Sequence, residues 1–278
     1  YHNSPNTMQE IGRLRELTFR NAGGGTGKDS DIDKFDTQDE PYEQLISWDP
    51  EEKEILGGYR FHVCDHDSNA DNLATSKLFT FSESFNKTHL PYMIELGRSF
   101  IQPKYQSAAA GRKALFALDN LWDGLGALII EHPEIKYYFG KVTMYPHYNR
   151  DARNMILYFL KSQFSDNENM VVPKKPLELG IDTAKLQSIF TGKNYKENYK
   201  ILQKKVREFG LNIPPLINAY MNLSPSMKFF GTAINEAFGD VEESGIMITI
   251  HDIFPAKKER HIETYIKNKL LKVFKFKR

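Results

Sequence analysis

Tyr92-Met-Ile-Glu95-Leu-Gly-Arg98-Ser-Phe100-Ile101, then Pro103 to Ala110, then the long run Gly111 to Glu131, is the stretch that decides the fold. Its first ten residues read as a strand that carries Glu95 and Arg98 among apolar neighbours. A carboxylate in that setting needs hydrogen-bond partners or a chemical task. Pro103 to Ala110 is a connection. Gly111 to Glu131 is the clearest helix in the chain, with Leu115, Leu118, Trp122, Leu125 and Ile129 recurring at spacings of three and four.

The neighbouring segments repeat this alternation. Upstream, Gln9 to Arg20 predicts a helix with Ile11, Leu14 and Leu17 on one face, stopped by Asn21-Ala-Gly-Gly-Gly-Thr-Gly27. Tyr42 to Trp48 and Ile55 to Val63 read as strands joined by the turn Asp49-Pro50-Glu51-Glu52, and Cys64 to Ser76 as a polar loop. Downstream, Tyr137 to Met144 is a strand and Arg150 to Phe164 an amphipathic helix. The order of helix, strands, helix, strand, helix indicates an α/β core over residues 1–165. Asp166 to Gly180 has the polar, proline-bearing composition of a linker. Helical patterns follow at Tyr195 to Phe209 and Pro215 to Leu223, and Gly245 to Ile250 is a short apolar strand.

Composition excludes several classes. In 278 residues, 40% hydrophobic and 26% charged, the chain is neither disordered nor collagen-like. Its one cysteine, Cys64, cannot form an intrachain disulfide, which points to a reducing, cytoplasmic setting. No apolar run approaches the roughly 18 residues of a membrane span; Leu115 to Ile130 is broken by Asp119, Asn120 and Asp123. No signal-peptide pattern is visible. Net charge is +1, but residues 256–278 hold nine Lys or Arg against Glu259 and Glu263. This basic tail fits either a solvated helix end or contact with an acidic partner or anionic membrane. Basic residues there interleave with Leu270, Leu271, Phe274 and Phe276, which suits a membrane surface as well as phosphate.

Several familiar chemistries fail on spacing. Gly27-Lys28 is no phosphate loop, because Ala22 and Asp29 stand where glycine and Ser/Thr are needed. A flexible loop is the better reading. His62, Cys64, Asp65, His66 and Asp67 lack a second ligand pair elsewhere, so no metal site is assigned. No Gly-x-Ser-x-Gly elbow occurs. Nucleic acid is not an expected partner.

Motifs in order carry a resemblance. Arg15-x3-Phe19, Asp33-x-x-Asp36, Arg60 in Gly-Gly-Tyr-Arg, and Glu95-x-x-Arg98-Ser-Phe100 precede Gln106-Ser-Ala-Ala109-Ala-Gly111. The last resembles the phosphate loop of the GCN5-related N-acetyltransferases, with Ala109 in place of a glycine. The set resembles the branch of that superfamily that uses acyl carrier protein, which contains acyl-homoserine lactone synthases and lyso-ornithine lipid synthases, the latter also labelled hemolysins. Asp31-Ile-Asp-Lys-Phe-Asp36, Ile213-Pro-Pro-Leu-Ile-Asn-Ala-Tyr-Met-Asn-Leu223 and Phe238-Gly-Asp to Ile250 extend the likeness to the second group, over about residues 9–255.

The resemblance implies a central mixed sheet flanked by helices, with a mostly helical C-terminal elaboration over 166–255 that completes the domain and a basic amphipathic tail over 256–278. It implies transfer of a 3-hydroxyacyl chain from the phosphopantetheine thioester of acyl carrier protein to the α-amine of an amino acid. Glycine, ornithine and serine all stay open, and no permanently bound cofactor is expected. Glu95 becomes the candidate base or amine-orienting carboxylate, with Arg98 beside it. Arg15, Phe19, Asp33, Asp36 and Arg60 are the candidate acceptor-binding residues. Phe100, Gln106, Ala109, Gly111 and Arg112 are candidates for holding the donor. A second reading makes the charged residues a buried ion-pair network bracing the sheet. Two other functions stand beside the first: an acyl-CoA-dependent N-acetyltransferase, and a non-catalytic module that docks on carrier protein or membrane.

Overall fold

The sheet is assembled from both ends of the sequence. In the computed structural model, α1 (Pro5–Asn21) and the single turn α2 (Lys34–Thr37) precede the hairpin β1 (Glu43–Asp49) and β2 (Glu54–Val63). The chain continues through β3 (Phe79–Phe81), α3 (Glu83–Thr88), β4 (Met93–Ile101), α4 (Arg112–Glu131), β5 (Tyr137–Met144) and α5 (Arg150–Phe164). It ends with β6 (Val171–Pro173), α6 (Thr183–Ile189), α7 (Tyr195–Arg207), α8 (Pro215–Met221), β7 (Lys228–Asn235), β8 (Val241–Thr249) and α9 (Pro255–Lys258). The structure describes residues 1–106, 112–180, 183–263 and 265–266, with backbone alone for 112–116.

Six strands form one mixed sheet in the order β1-β2-β4-β5-β8-β7, in which only the central pair β4 and β5 is parallel. One face is covered by α4 and α5. Leu121, Leu125 and Leu128 of α4 recur at helical spacing and meet Tyr59, Phe61, Ile94 and Leu96 of the sheet. The C-terminal helices join this layer through Leu186, Leu202, Val206 and Ile217. On the other face α1 lays Met8, Ile11, Leu14 and Phe19 over Ile55 and Phe100. The segment between β2 and β4 covers the rest of that face around Phe79, Phe85 and Met93.

Three sequence expectations change. Residues 166–180 do not form a free linker, because β6 pairs with β3 in a second, two-stranded sheet. Strands of three residues are too short to show a period. The last strand is longer than read, Val241–Thr249, and β7 pairs beside it as the sheet's edge. The first part of the basic tail is docked, not free. His261 is buried with Nδ1 2.7 Å from Asp123 Oδ1 of α4, and Arg260 pairs with Asp119. Residues 267–278 lie outside the described residues. Among the described residues no helix is long and apolar enough to cross a membrane.

Gly126 of α4 makes that docking possible. A Cβ there would stand 2.2 Å from the His261 carbonyl oxygen. Gly126→Val should therefore cost about 1–3 kcal/mol, the usual scale of overpacking. Thermal denaturation should show a lowered midpoint, and limited proteolysis should cut near residues 255–266. An unchanged midpoint would show that this contact is dispensable.

Candidate active site

The charged residues picked from the sequence meet on the α1 face of the sheet. Arg15, fully buried, places Nη1 3.1 Å from Asp36 Oδ1 and donates from Nη2 to Gln44 Oε1 at 2.5 Å. Arg60 of β2 reaches Asp36 Oδ2 at 3.0 Å and Asp33 Oδ1 at 2.7 Å. Arg98 of β4 completes the row, with Nε 2.7 Å from Asp31 Oδ2 and Nη2 3.6 Å from Asp33 Oδ2. Cation and anion thus alternate from α1 to β4. Local sequence fixes the middle of the row. Asp33 caps α2 by accepting from Phe35 N–H at 2.9 Å, and Asp36 accepts from Asp33 N–H at 3.0 Å, a reciprocal capping box.

Burial and pairing set the charges. Burial pushes the Arg15 guanidinium down to about 10. For Arg60 burial acts in the same direction, but Asp36 and Asp33 outweigh it and hold the guanidinium above its ordinary value. Burial also opposes charge on Asp33, yet Arg60 and then Arg98 draw its carboxyl down to about 2. The Arg98–Asp31 contact is ionic without hydrogen-bond alignment. Arg98 Nε and both Asp31 carboxylate oxygens have no hydrogen-bond partner among the described residues. Buried polar atoms left in this state are uncommon and suit a polar ligand.

Glu95 sits beside this row, almost fully buried. Its carboxylate accepts from Thr75 Oγ1 at 2.6 Å, Thr75 N–H at 2.8 Å, Ala74 N–H at 3.2 Å and the Tyr42 hydroxyl. A carboxylate offers about four lone-pair positions, so all are taken. Burial, then the Glu95 charge, raises the Tyr42 phenol well above its usual range, so Tyr42 stays a donor. The 74–75 segment is thereby tied to the sheet floor. On the opposite side Glu16 of α1 accepts from Thr26 N–H and Gly27 N–H, each at 2.9 Å, and anchors the glycine-rich loop.

A bulge shapes the floor. Arg60 pairs with Gly97 and Gly58 with Phe100, so Arg98 and Ser99 fall out of register, and Arg98 takes φ +51°. Beyond it the central strands separate, since β4 and β5 pair only from Met93–Tyr137 to Leu96–Gly140. A pocket of about 190 Å³ lies on the α1 face, lined by Asp31, Asp33, Arg60, Glu95, Arg98 and Phe238 among others. An apolar crevice of about 30 Å³ lies on the opposite face, between Tyr59, Tyr138, Leu216 and Tyr220. Leu96, Gly97, Arg98 and Lys141 border both. A Cβ on Gly97 would meet nothing within 4 Å, so the junction is open there.

The comparisons fit this split sheet. Residues 14–115 match the family described as an acetyltransferase (GNAT) domain. Two curated proteins named glycine N(alpha)-acyltransferase, from Phocaeicola vulgatus and Bacteroides thetaiotaomicron, are each 56% identical to the chain. The first aligns over 96% of this chain and 83% of its own length, the second over 96% and 81%. This chain belongs to the N-acyltransferases of the GNAT superfamily. No solved structure matches it.

Within this N-acyltransferase the sequence-derived residues divide three ways. Arg60, Asp33, Glu95 and Arg98 line the pocket. Arg15 and Asp36 stand behind that wall and hold it. Phe19 backs it at one remove, with its ring 5.3 Å from that of Phe238. Phe100, expected at the donor, instead lies in the core under α1, because the bulge reverses the strand's alternation after Leu96. Gln106 is exposed and turns back to donate to the Ile101 carbonyl at 2.5 Å. Ala109, Gly111 and the Arg112 side chain lie outside the described residues. Sequence reading missed Asp31, Tyr42, Lys141, Phe238 and Glu243. Asp31 and Phe238 stood inside quoted motifs, and Tyr42, Lys141 and Glu243 gain their places only when distant segments come together.

Asp33 yields a pH test. Its folded pKa, about 2, lies below the ordinary aspartate value of about 3.9, so its pairing stabilises the fold fully above pH ~4 and is lost as pH falls toward 2. Asp33→Asn keeps a good cap residue but removes the charge. Urea midpoints should show the variant weaker at pH 7, with the gap closing between pH 4 and 2. A gap that persists at pH 2 would contradict the pairing.

Proposed function

We propose that this enzyme moves a fatty acyl group, of the 3-hydroxy type, from the phosphopantetheine thioester of acyl carrier protein to the α-amine of glycine, giving a lyso-aminolipid. One observation carries the reading: the break between β4 and β5 opens a charged pocket onto an apolar crevice through the sheet. Such a passage suits a thioester that presents its carbonyl to a polar acceptor while its chain stays among apolar side chains. The crevice as it stands has room for little more than a water, so chain entry requires Leu216 and the tyrosine rings to move apart.

The acceptor side fits a short zwitterion. The ammonium group meets Asp31, whose oxygens accept no hydrogen bond from the described residues although Oδ2 is ion-paired with Arg98, and Asp33 beside it. The carboxylate meets Arg98, whose guanidinium lies 4.4 Å from the Phe238 ring centre. The choice of glycine as acceptor rests on the two relatives, which are named for it. In this reading Glu95, with every lone pair occupied, anchors the 74–75 wall and does not itself take the substrate proton. In the same reading a backbone N–H at the Gly97–Ser99 bulge donates to the oxyanion of the tetrahedral intermediate. Because the product is a lipid, the basic apolar residues 267–278 are proposed to touch the anionic inner membrane face.

The test is intact-mass analysis of products from 3-hydroxyacyl carrier protein with glycine, serine and ornithine offered together. N-acylglycine should dominate, and the rate should fall steeply with salt because the carrier is acidic. Faster use of acyl-CoA without salt dependence would overturn the donor assignment. Gly97→Leu fills the junction and should lower kcat by at least 10²-fold with thermal stability retained. Normal turnover by that variant would move the reaction away from the split.

A further inference from the structure

Four residues border both the charged pocket and the apolar crevice: Leu96, Gly97, Arg98 and Lys141. In the acyl-transfer reading proposed above, the amine and the thioester meet at this junction. Of the four, Lys141 alone carries a group that can gain and lose a proton near neutral pH, since an arginine does not deprotonate in proteins. Lys141 is the first residue of β5 past the point where pairing with β4 ends. Its Nζ contacts Glu243 Oε2 of β8, a side chain almost wholly buried, and the two residues lie 102 positions apart in sequence. Both lie beyond residues 14–115, the part that matches the acetyltransferase domain.

We propose that Lys141 is the proton acceptor for the attacking amine and the proton donor to the departing thiolate, and that Glu243 is a positioning residue for it. The inference rests on the reading of the site as one for acyl transfer from a thioester. The acceptor ammonium gives one proton to the uncharged Lys141 amine. The freed nitrogen lone pair forms a C–N bond at the thioester carbonyl, and the C=O π pair moves to oxygen. The oxygen pair then returns, the C–S bond breaks with its electrons on sulfur, and the thiolate takes the proton held by Lys141. The second proton on nitrogen leaves to solvent as the amide forms. One amide, one free thiol and one released proton balance the step.

The surroundings suit a lysine that switches charge. Burial, then Arg98 from β4 and Arg60 from β2, drives the Lys141 ammonium below its ordinary value. Glu95 from β4 and Asp31 from the loop before α2 pull the other way, and Glu243 from β8 stabilises the ammonium that arises during turnover. Glu95 cannot easily take this part, because its oxygens already accept from Tyr42, Ala74 and Thr75. A general base in this position contributes roughly 10²–10⁴-fold.

The alternative is a fixed charge that only holds the acceptor carboxylate, and substitution separates the two. Lys141→Met and Lys141→Arg should both lower kcat by at least 10²-fold, because arginine keeps the charge but does not shuttle the proton. Lys141→Met paired with Glu243→Gln removes both buried charges and guards against a folding defect. Glu243→Gln alone should move the acid limb of the kcat/KM profile to lower pH, since loss of the carboxylate lowers the lysine pKa. Independently of any substrate, the ¹³Cε shift of Lys141 in the labelled wild-type protein, assigned by the Met variant, should titrate well below 10.5. Near-normal turnover by Lys141→Arg, or a Lys141 that stays protonated through pH 10, would overturn the proposal. Absence of glycine acylation by wild-type protein, with Lys141 titrating low, would instead fault the acceptor assignment alone.

Discussion

The carboxylate of Asp36, held between Arg15 and Arg60, is the interaction on which the site depends. Asp36 and Arg15 are shielded from water completely and Arg60 nearly so. An isolated buried charge would cost several kcal/mol, and removal of one partner from such a pair typically costs about 3–5 kcal/mol. The row therefore stands or falls together. It joins α1, the capped turn α2, β2 and, through Asp33 and Asp31, the bulged part of β4. Buried ion pairs are weak contributors to net stability compared with apolar packing. What this one supplies is placement: it sets Arg98 and Asp31 at fixed positions on the pocket wall.

The bulge at Arg98 converts that placement into an opening. Without it β4 would keep its alternation, and Phe100 would face α4 in place of α1. With it the strand turns away from β5 after Leu96. Gly140 allows the last close approach, where a Cβ would stand 2.6 Å from the Leu96 carbonyl oxygen, and Gly97 leaves the gap unfilled. Elsewhere the sheet is continuous, with β8 completing the far side of β5 along its whole length. The opening is thus confined to one place, between the charged face and the apolar face.

The legible parts of this arrangement share a cause. Helices α1, α4 and α5 repeat apolar residues at 3.6-residue spacing over several turns, and β2, β4 and β5 are long enough to show against flanking turns. Arg15, Asp33, Asp36, Arg60, Glu95 and Arg98 were found together because their order in the chain resembled a known family. The bulge was not legible, since Gly97-Arg98-Ser99 does not itself state a positive φ, and Phe100 was therefore placed at the donor when it belongs to the core. Lys141 and Glu243 carry no local signal at all. Each reads as an ordinary strand charge until β5 and β8 pair, and that pairing is fixed by hydrophobic burial along whole strands. Short elements such as β3 and β6 were invisible for want of length.

The most direct measurement is a crystal structure with a non-hydrolysable acyl-pantetheine analogue. The account predicts its carbonyl between Gly97 and Lys141, with the acyl chain passing through the split toward Tyr59, Tyr138 and Tyr220. An analogue bound on the outer surface, with the split between β4 and β5 left empty, would contradict the account.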